Sequence, residues 1–289
     1  MTKAKRDLHA EITDSIIAKL EEGVAPWAKC WTGGGISLPL RSTGAAYQGI
    51  NVLILMMQGR TSPHWLTYKQ AQAEGGQVNK GEAGTTVVFY KQLKVEDKAT
   101  GEEKRIPLLR AFTVFNLEQI SFEDGVPAKY APAEVEAINP DSRNVAVDAY
   151  ITATEAKINH GGGRAFYRPS DDQIQLPEFA AFTDAVAYYG TAIHELAHWT
   201  GHATRLDRLT QRDSTAYATE ELVAELSATF LGASLGIETT IREDHVSYLQ
   251  GWLSVLKADK KAIFKAATKA QKAVSFLDNL QPTELEEAA

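Results

Sequence analysis

The stretch Thr191-Ala192-Ile193-His194-Glu195-Leu196-Ala197-His198-Trp199 constrains this chain more than any other. Two histidines four residues apart bracket a glutamate. On an α-helix that step turns the chain by about 400°, so His194 and His198 project from one face, one turn apart. That face presents two imidazole nitrogens to a single divalent ion, with Zn²⁺ the first expectation and another divalent transition metal the alternative. Glu195 lies beside them, where a carboxylate can take a proton from a water that the ion activates. Histidines are scarce, 7 in 289 residues, which makes a chance pairing around a glutamate a poor explanation.

A catalytic zinc site takes a third protein ligand and keeps one position open. One extension of the motif places a glycine three residues after the second histidine and a third histidine three further on. Here Gly201 fills the first position, but Thr204 stands where the ligand would be. His202 reads as the polar end of a helix that stops near Gly201, and Asp207 falls in a segment, Thr204 to Arg208, that reads as an ion-paired turn. The stronger source is the helix Glu220 to Ala228, where Glu221 and Glu225 share a face among Leu222, Ala224, Ala228 and Phe230. Carboxylates buried in such a setting need a charge partner or a metal. In many metallopeptidases the first of such a pair binds the ion and the second accepts from a ligand histidine's other N–H. On that pattern Glu221 is the ligand and Glu225 the outer partner, and the reverse assignment stays open. The expected chemistry is hydrolysis of a carbonyl with Glu195 as base, and Tyr167, Tyr189 or Tyr217 to stabilise the oxyanion.

Composition narrows the setting. The single cysteine, Cys30, excludes an internal disulfide framework and a cysteine-based zinc site. No run approaches the ~18–20 apolar residues of a membrane span, and no apolar signal core follows the basic start, so the expected location is cytoplasmic, with no membrane partner. The net charge of −7 is unevenly spread. Residues 1–120 hold 15 Lys and Arg against 12 Asp and Glu, and residues 121–289 hold 15 against 25.

Periodicity predicts a helix over 4–22 with Leu8, Ile12, Ile16 or Ile17 and Leu20 as its stripe, and an apolar helix ending at Met57. It also predicts a short helix after Trp65, and strands from Thr85 to Lys91 and Leu108 to Phe115 around a charged tip. Residues 121–135 read as a linker. Beyond it come a helix over 145–157, a hairpin turn at Gly161-Gly162-Gly163 and a helix over 179–188 ahead of the metal helix. The fold class is α+β, with one domain over 1–125 and a second over 126–289.

Several motifs together resemble a known family. They are Pro26-Trp27 with Trp31, Thr43-Gly44 to Tyr47, Gly49-Ile50-Asn51, Trp65-Leu66-Thr67, Gln70-Ala71, Lys80-Gly81-Glu82 and Thr113 to Asn116 in the first half. In the second half they are Tyr167 with Pro169, His194 to His202, Arg205-Leu206 and Glu221 to Glu225. The chain resembles the ArdC-type antirestriction proteins of conjugative plasmids, which are related to the N-terminal part of TraC-type plasmid primases. The resemblance implies an N-terminal domain that binds single-stranded DNA, a zincin-like metallopeptidase domain, and protection of incoming plasmid DNA from restriction.

Single-strand binding without sequence preference calls for a basic groove and aromatic rings on which bases stack. Trp27, Trp31, Tyr47, Trp65 and Tyr68 are the stacking candidates, and Lys29, Arg41, Lys69, Lys80 and Lys91 the phosphate candidates. Each aromatic also reads as core. Asn51 and Gln70 read equally as contacts to a base or phosphate and as structural caps. The expected function is an antirestriction protein that binds single-stranded DNA and carries a zinc metallopeptidase-like domain acting on an undefined protein substrate. The alternatives are a zinc metallopeptidase without a DNA role, and a DNA-binding antirestriction protein whose zincin domain is not catalytic.

Overall fold

A computed structural model describes residues 6–23, 27, 37–96, 103–131, 139, 141–209, 213–237 and 245–282, with backbone alone at 91–96, 103–107 and 245–247. Its first helix, α1 (Leu8–Glu21), starts where the Asp7 carboxylate accepts from the backbone N–H groups of His9 and Ala10. Ile12, Ile16, Ile17 and Leu20 are buried on one stripe. The chain divides into two compact units, one of Pro39–Ala133 and one joining Met1–Leu38 to Glu134–Ala289. Helix α1 therefore belongs with the C-terminal residues, and the division differs from a cut at residue 125.

The unit Pro39–Ala133 contains β1 (Leu40–Arg41), α2 (Ile50–Met56), β2 (His64–Thr67), α3 (Tyr68–Ala73), β3 (Gly76–Val78), β4 (Thr85–Glu96), β5 (Glu103–Asn116) and β6 (Ile120–Phe122). Four strands pair in the order β1-β2-β5-β4, with β1 parallel to β2 and the rest antiparallel, while β3 and β6 form a separate antiparallel ribbon. The β4–β5 ladder runs from Thr85↔Val114 to Glu96↔Glu103, well past the strand ends that side-chain alternation predicts. Backbone hydrogen bonds carry that ladder, and hydrophobic alternation does not report them. Asn51 fastens α2 to the edge strand: its Nδ2 donates to Val88 O at 2.7 Å and its Oδ1 accepts from Val88 N–H at 2.9 Å. Gln70 closes a capping box with Thr67 at the start of α3. Tyr130 is buried in a cluster with Leu66, Ala71, Val78, Leu117 and Ile120, so residues 121–131, read as linker, help close this unit's core.

The other unit continues with α4 (Val145–Ala153), β7 (Lys157–His160), β8 (Phe166–Arg168), β9 (Gln173–Leu176), α5 (Ala185–Trp199), α6 (Ser214–Leu235), α7 (His245–Ala258) and α8 (Ala262–Asp278). Strand β9 lies between β7 and β8, parallel to the first and antiparallel to the second. The triple glycine thus joins two strands that do not pair with each other, and the predicted hairpin is absent. Helix α4 ends at Ala153, short of the predicted 157, and Glu155 takes a positive φ of 57° before β7 begins. The predicted helix over 179–188 is instead a short 3-10 turn, Phe179–Ala181, followed by α5, which carries His194 and His198. Asp184 sets that start by accepting from Ala187 N–H at 2.7 Å.

Helix α6 packs on α5, α7 and α8, with Leu222, Val223, Leu226 and Leu231 fully buried. It ends at Gly236, whose φ of 70° is the left-handed value that glycine adopts without strain. Helix α1 packs on α7, and Thr13 Oγ1 donates to Lys260 O at 2.6 Å. Trp27 is buried against Trp252, ring centroids 5.4 Å apart. No helix among the described residues is long and apolar enough to cross a membrane.

Candidate metal centre

Helix α5 holds the imidazoles of His194 and His198 with their Nε2 atoms 3.2 Å apart. Helix α6 crosses it and delivers Glu221, whose Oε2 is 3.6 Å from His194 Nε2 and whose Oε1 is 3.6 Å from His198 Nε2. Each of the three offers a ligand atom within 4.8 Å of the others. Two nitrogens and a carboxylate oxygen converging on one point, all on buried or half-buried side chains, suit a divalent transition ion. His202 lies apart from them, its Nδ1 2.8 Å from Thr204 Oγ1, and Asp207 is not in the cluster.

A further layer of carboxylates holds the other ring nitrogens. Glu225 Oε2 is 3.4 Å from His194 Nδ1, close but less well aligned than a regular hydrogen bond. Glu220 Oε1 is 3.4 Å from His198 Nδ1. Arg208 grips Glu220 with both arms, Nη2 to Oε1 at 2.9 Å and Nε to Oε2 at 3.2 Å. The same guanidinium donates to Thr200 Oγ1 at 2.8 Å and to Ala197 O at 2.8 Å, tying the clamp to the end of α5. Glu220 goes unmarked in the sequence. Helical spacing singled out the pair four apart, and nothing local linked Glu220 to an arginine twelve positions earlier.

Charge and burial oppose each other at this point. Burial disfavours an imidazolium at His194, but the carboxylates of Glu221 and Glu225 outweigh it and push its pKa up. Burial acts likewise on His198, where Glu220 and Glu221 prevail and raise it to about 10. Glu221, which burial alone would raise, is held well below the usual carboxylate range by the two histidines. Protons and a divalent ion therefore compete for the same donors.

The cluster opens into a cleft of about 1210 Å³ lined by His194, Glu195, His198 and Glu221, with Phe166 and Tyr167 of β8 and Tyr217 and Tyr248 among its other walls. Glu195 is nearly buried, at 4% exposure. The three tyrosines considered for an oxyanion now separate. Tyr189 is fully buried, bonded to Asn144 N–H at 2.7 Å and Asp148 at 3.0 Å. Tyr167 donates to Asp172 at 2.8 Å. Tyr217 stands one helical turn before Glu221, its hydroxyl 3.2 Å from that of Tyr248.

The candidate DNA contacts are dispersed. Trp27, Tyr47 and Trp65 are buried and serve as core, with Arg41 over the Tyr47 ring at 5.4 Å, and Trp27 belongs to the unit that carries His194 and His198. The Asn51 and Gln70 side chains are occupied by Val88 and Thr67. Arg41, Lys69 and Lys80 are exposed. Lys29 and Trp31 lie outside the described residues, as does the Lys91 side chain. Among the described residues of this unit the exposed aromatics are Tyr68, Phe89, Tyr90 and Phe112, and of these only Tyr68 is a candidate from the sequence.

Comparison with known proteins matches both halves. Residues 6–115 match the model for the N-terminal domain of anti-restriction factor ArdC, and residues 145–269 that for zincin-like metallopeptidases. The crystal structure of the antirestriction protein ArdC from plasmid R388, metal-free, superposes with a TM-score of 0.83 at 44% identity, covering 95% of this chain and 98% of that one. An Mn(II)-bound structure of the same ArdC gives 0.80 at 42%, with the same coverage. A DNA primase TraC of Escherichia coli is 38% identical over 99% of this chain, which spans 28% of the primase's length. The protein y4eC of Sinorhizobium fredii is 38% identical over 94% of this chain and 91% of its own length. With a zincin-like half, an ArdC N-terminal half and end-to-end likeness to a solved ArdC, the chain belongs to the ArdC family of antirestriction proteins.

Proposed function

We propose that this protein shields incoming plasmid DNA from restriction in the recipient cytoplasm, that it binds single-stranded DNA through its N-terminal half, and that its zincin-like unit is a zinc-dependent peptidase acting on a protein substrate. The observation that carries the catalytic part is the donor set His194, His198 and Glu221 beside Glu195 in one cleft. His194, His198 and Glu221 would hold a divalent ion, zinc in the first instance, which would supply the Lewis acid for a water and a substrate carbonyl. Glu195 accepts at its carboxylate the proton that the attacking water gives up and returns it to the leaving amine. Glu225 and Glu220 keep the two imidazoles turned with Nε2 toward Glu221. Tyr217 donates its phenolic proton toward the developing oxyanion from the cleft wall.

Metal analysis by mass spectrometry should find one divalent ion per unmutated chain and none after His194→Ala. Metal retained by the variant would remove the site from the proposal. Glu195→Gln keeps the ligands, so a transfer assay on it isolates the chemistry. Loss of plasmid protection is expected, and full protection would show that shielding DNA does not use hydrolysis.

A further inference from the structure

Pleating places Val87, Phe89, Arg110, Phe112 and Val114 on one face of the β4–β5 ladder, where Phe89 pairs with Arg110 and Val87 with Phe112. Val87 and Val114 are buried, at 5% and 2% exposure. The same face then runs into the open, with Phe89 54% and Phe112 47% exposed. Phe89 and Phe112 are diagonal neighbours, roughly 7 Å apart by strand geometry. Arg110 stands directly opposite Phe89 and has no ion-pair partner among the described residues. Two exposed rings flank an exposed cation on one sheet face, the make-up of a binding surface rather than of a core.

We infer that Phe89, Arg110 and Phe112 form a base-stacking platform for single-stranded nucleic acid, an inference that rests on the proposed DNA role of this half of the chain. The rings offer flat apolar faces to successive bases of an extended strand, and the guanidinium offers a phosphate contact or a third stacking plane. Charge favours this occupant. The unit Pro39–Ala133 holds 11 Lys and Arg against 9 Asp and Glu, whereas the rest of the chain holds 19 against 28. A second copy of the chain is a poorer fit, because a two-fold contact through this face would set Arg110 against its own equivalent. The buried state of Tyr47 and Trp65 leaves the stacking role to rings of this exposed kind.

The test uses the full chain and a fluorescein-labelled oligothymidine at low salt, read by anisotropy. Phe89→Ala and Phe112→Ala should each weaken binding roughly 5- to 100-fold. Arg110→Ala should weaken it and lower the slope against salt by about one. Tyr90→Ala, on the opposite face, should leave it unchanged. Phe89→Trp should bind as the unmutated chain does, with the new indole quenched on titration, a signature that a merely structural ring would not give. If the unmutated chain binds and both alanine variants bind equally well, the platform is overturned while the DNA role stands. Failure of the unmutated chain to bind overturns both. If the alanine variants only shift a sedimenting dimer to monomer, the face is a self-association surface and the inference falls.

Discussion

At the scale of single residues, the candidate metal centre is organised by groups outside the donor set of His194, His198 and Glu221. Glu220 is held by Arg208 on one side and reaches His198 Nδ1 on the other. Removing it leaves a buried guanidinium unpaired and an imidazole free to turn. Glu220→Ala should therefore raise the metal dissociation constant about 10- to 100-fold in a chelator competition; unchanged affinity would show that Glu220 only serves Arg208. A separate residue pair reports on acid stability. Asp172 is held below its ordinary pKa, chiefly by the Arg205 guanidinium, whose Nη1 donates at 2.9 Å. A depressed carboxylate stabilises the fold above its unfolded pKa of about 3.9 and loses that contribution as pH falls through the folded value. Stability measured from pH 7 down to 2 should fall more steeply below pH 4 for the unmutated chain than for Asp172→Asn. Asparagine is the fitting substitute, since Asp172 sits at a φ of 52°. Parallel curves would mean that the pair contributes nothing net.

At the scale of elements, polar side chains decide where helices begin and what they grip. Asp7, Thr67 and Asp184 cap α1, α3 and α5. Asn51 acts across elements, replacing a missing neighbour strand at Val88 with one carbonyl and one amide. Asn51→Ala leaves that nearly buried backbone pair without partners and should cost about 1–3 kcal/mol in urea unfolding. An unchanged midpoint would place the attachment of α2 in its apolar side chains alone. The apolar stripe of α1 was legible in the sequence because it repeats within a few residues, whereas the cap at Asp184 was not, and the expected helix over 179–188 runs across it. The partner of Asn51 lies 37 positions away and was not legible either. The length of the β4–β5 ladder was equally hidden, because backbone pairing leaves no mark in residue type there.

At the scale of the whole molecule, the chain's first helix completes the unit that carries His194, His198 and Glu221. Trp27, a candidate for stacking on bases, packs on Trp252 of α7. Trp27→Ala should destabilise that unit by about 3–5 kcal/mol in thermal unfolding while oligothymidine affinity holds. Lost affinity at full stability would return Trp27 to the DNA-binding set. The histidine spacing, the lone cysteine, the charge imbalance and the carboxylate pair on α6 are properties of residue type and helical repeat. They single out a candidate metal helix, its third-ligand candidates and an α+β chain. Only the tertiary structure decided that Glu221 faces both Nε2 atoms while Glu225 and Glu220 take the Nδ1 sides, because that depends on how α6 crosses α5. It likewise decided which aromatics are core and which stand in water. An aromatic ring reads the same in sequence on either side of a sheet, and its exposure is set by what packs against that face.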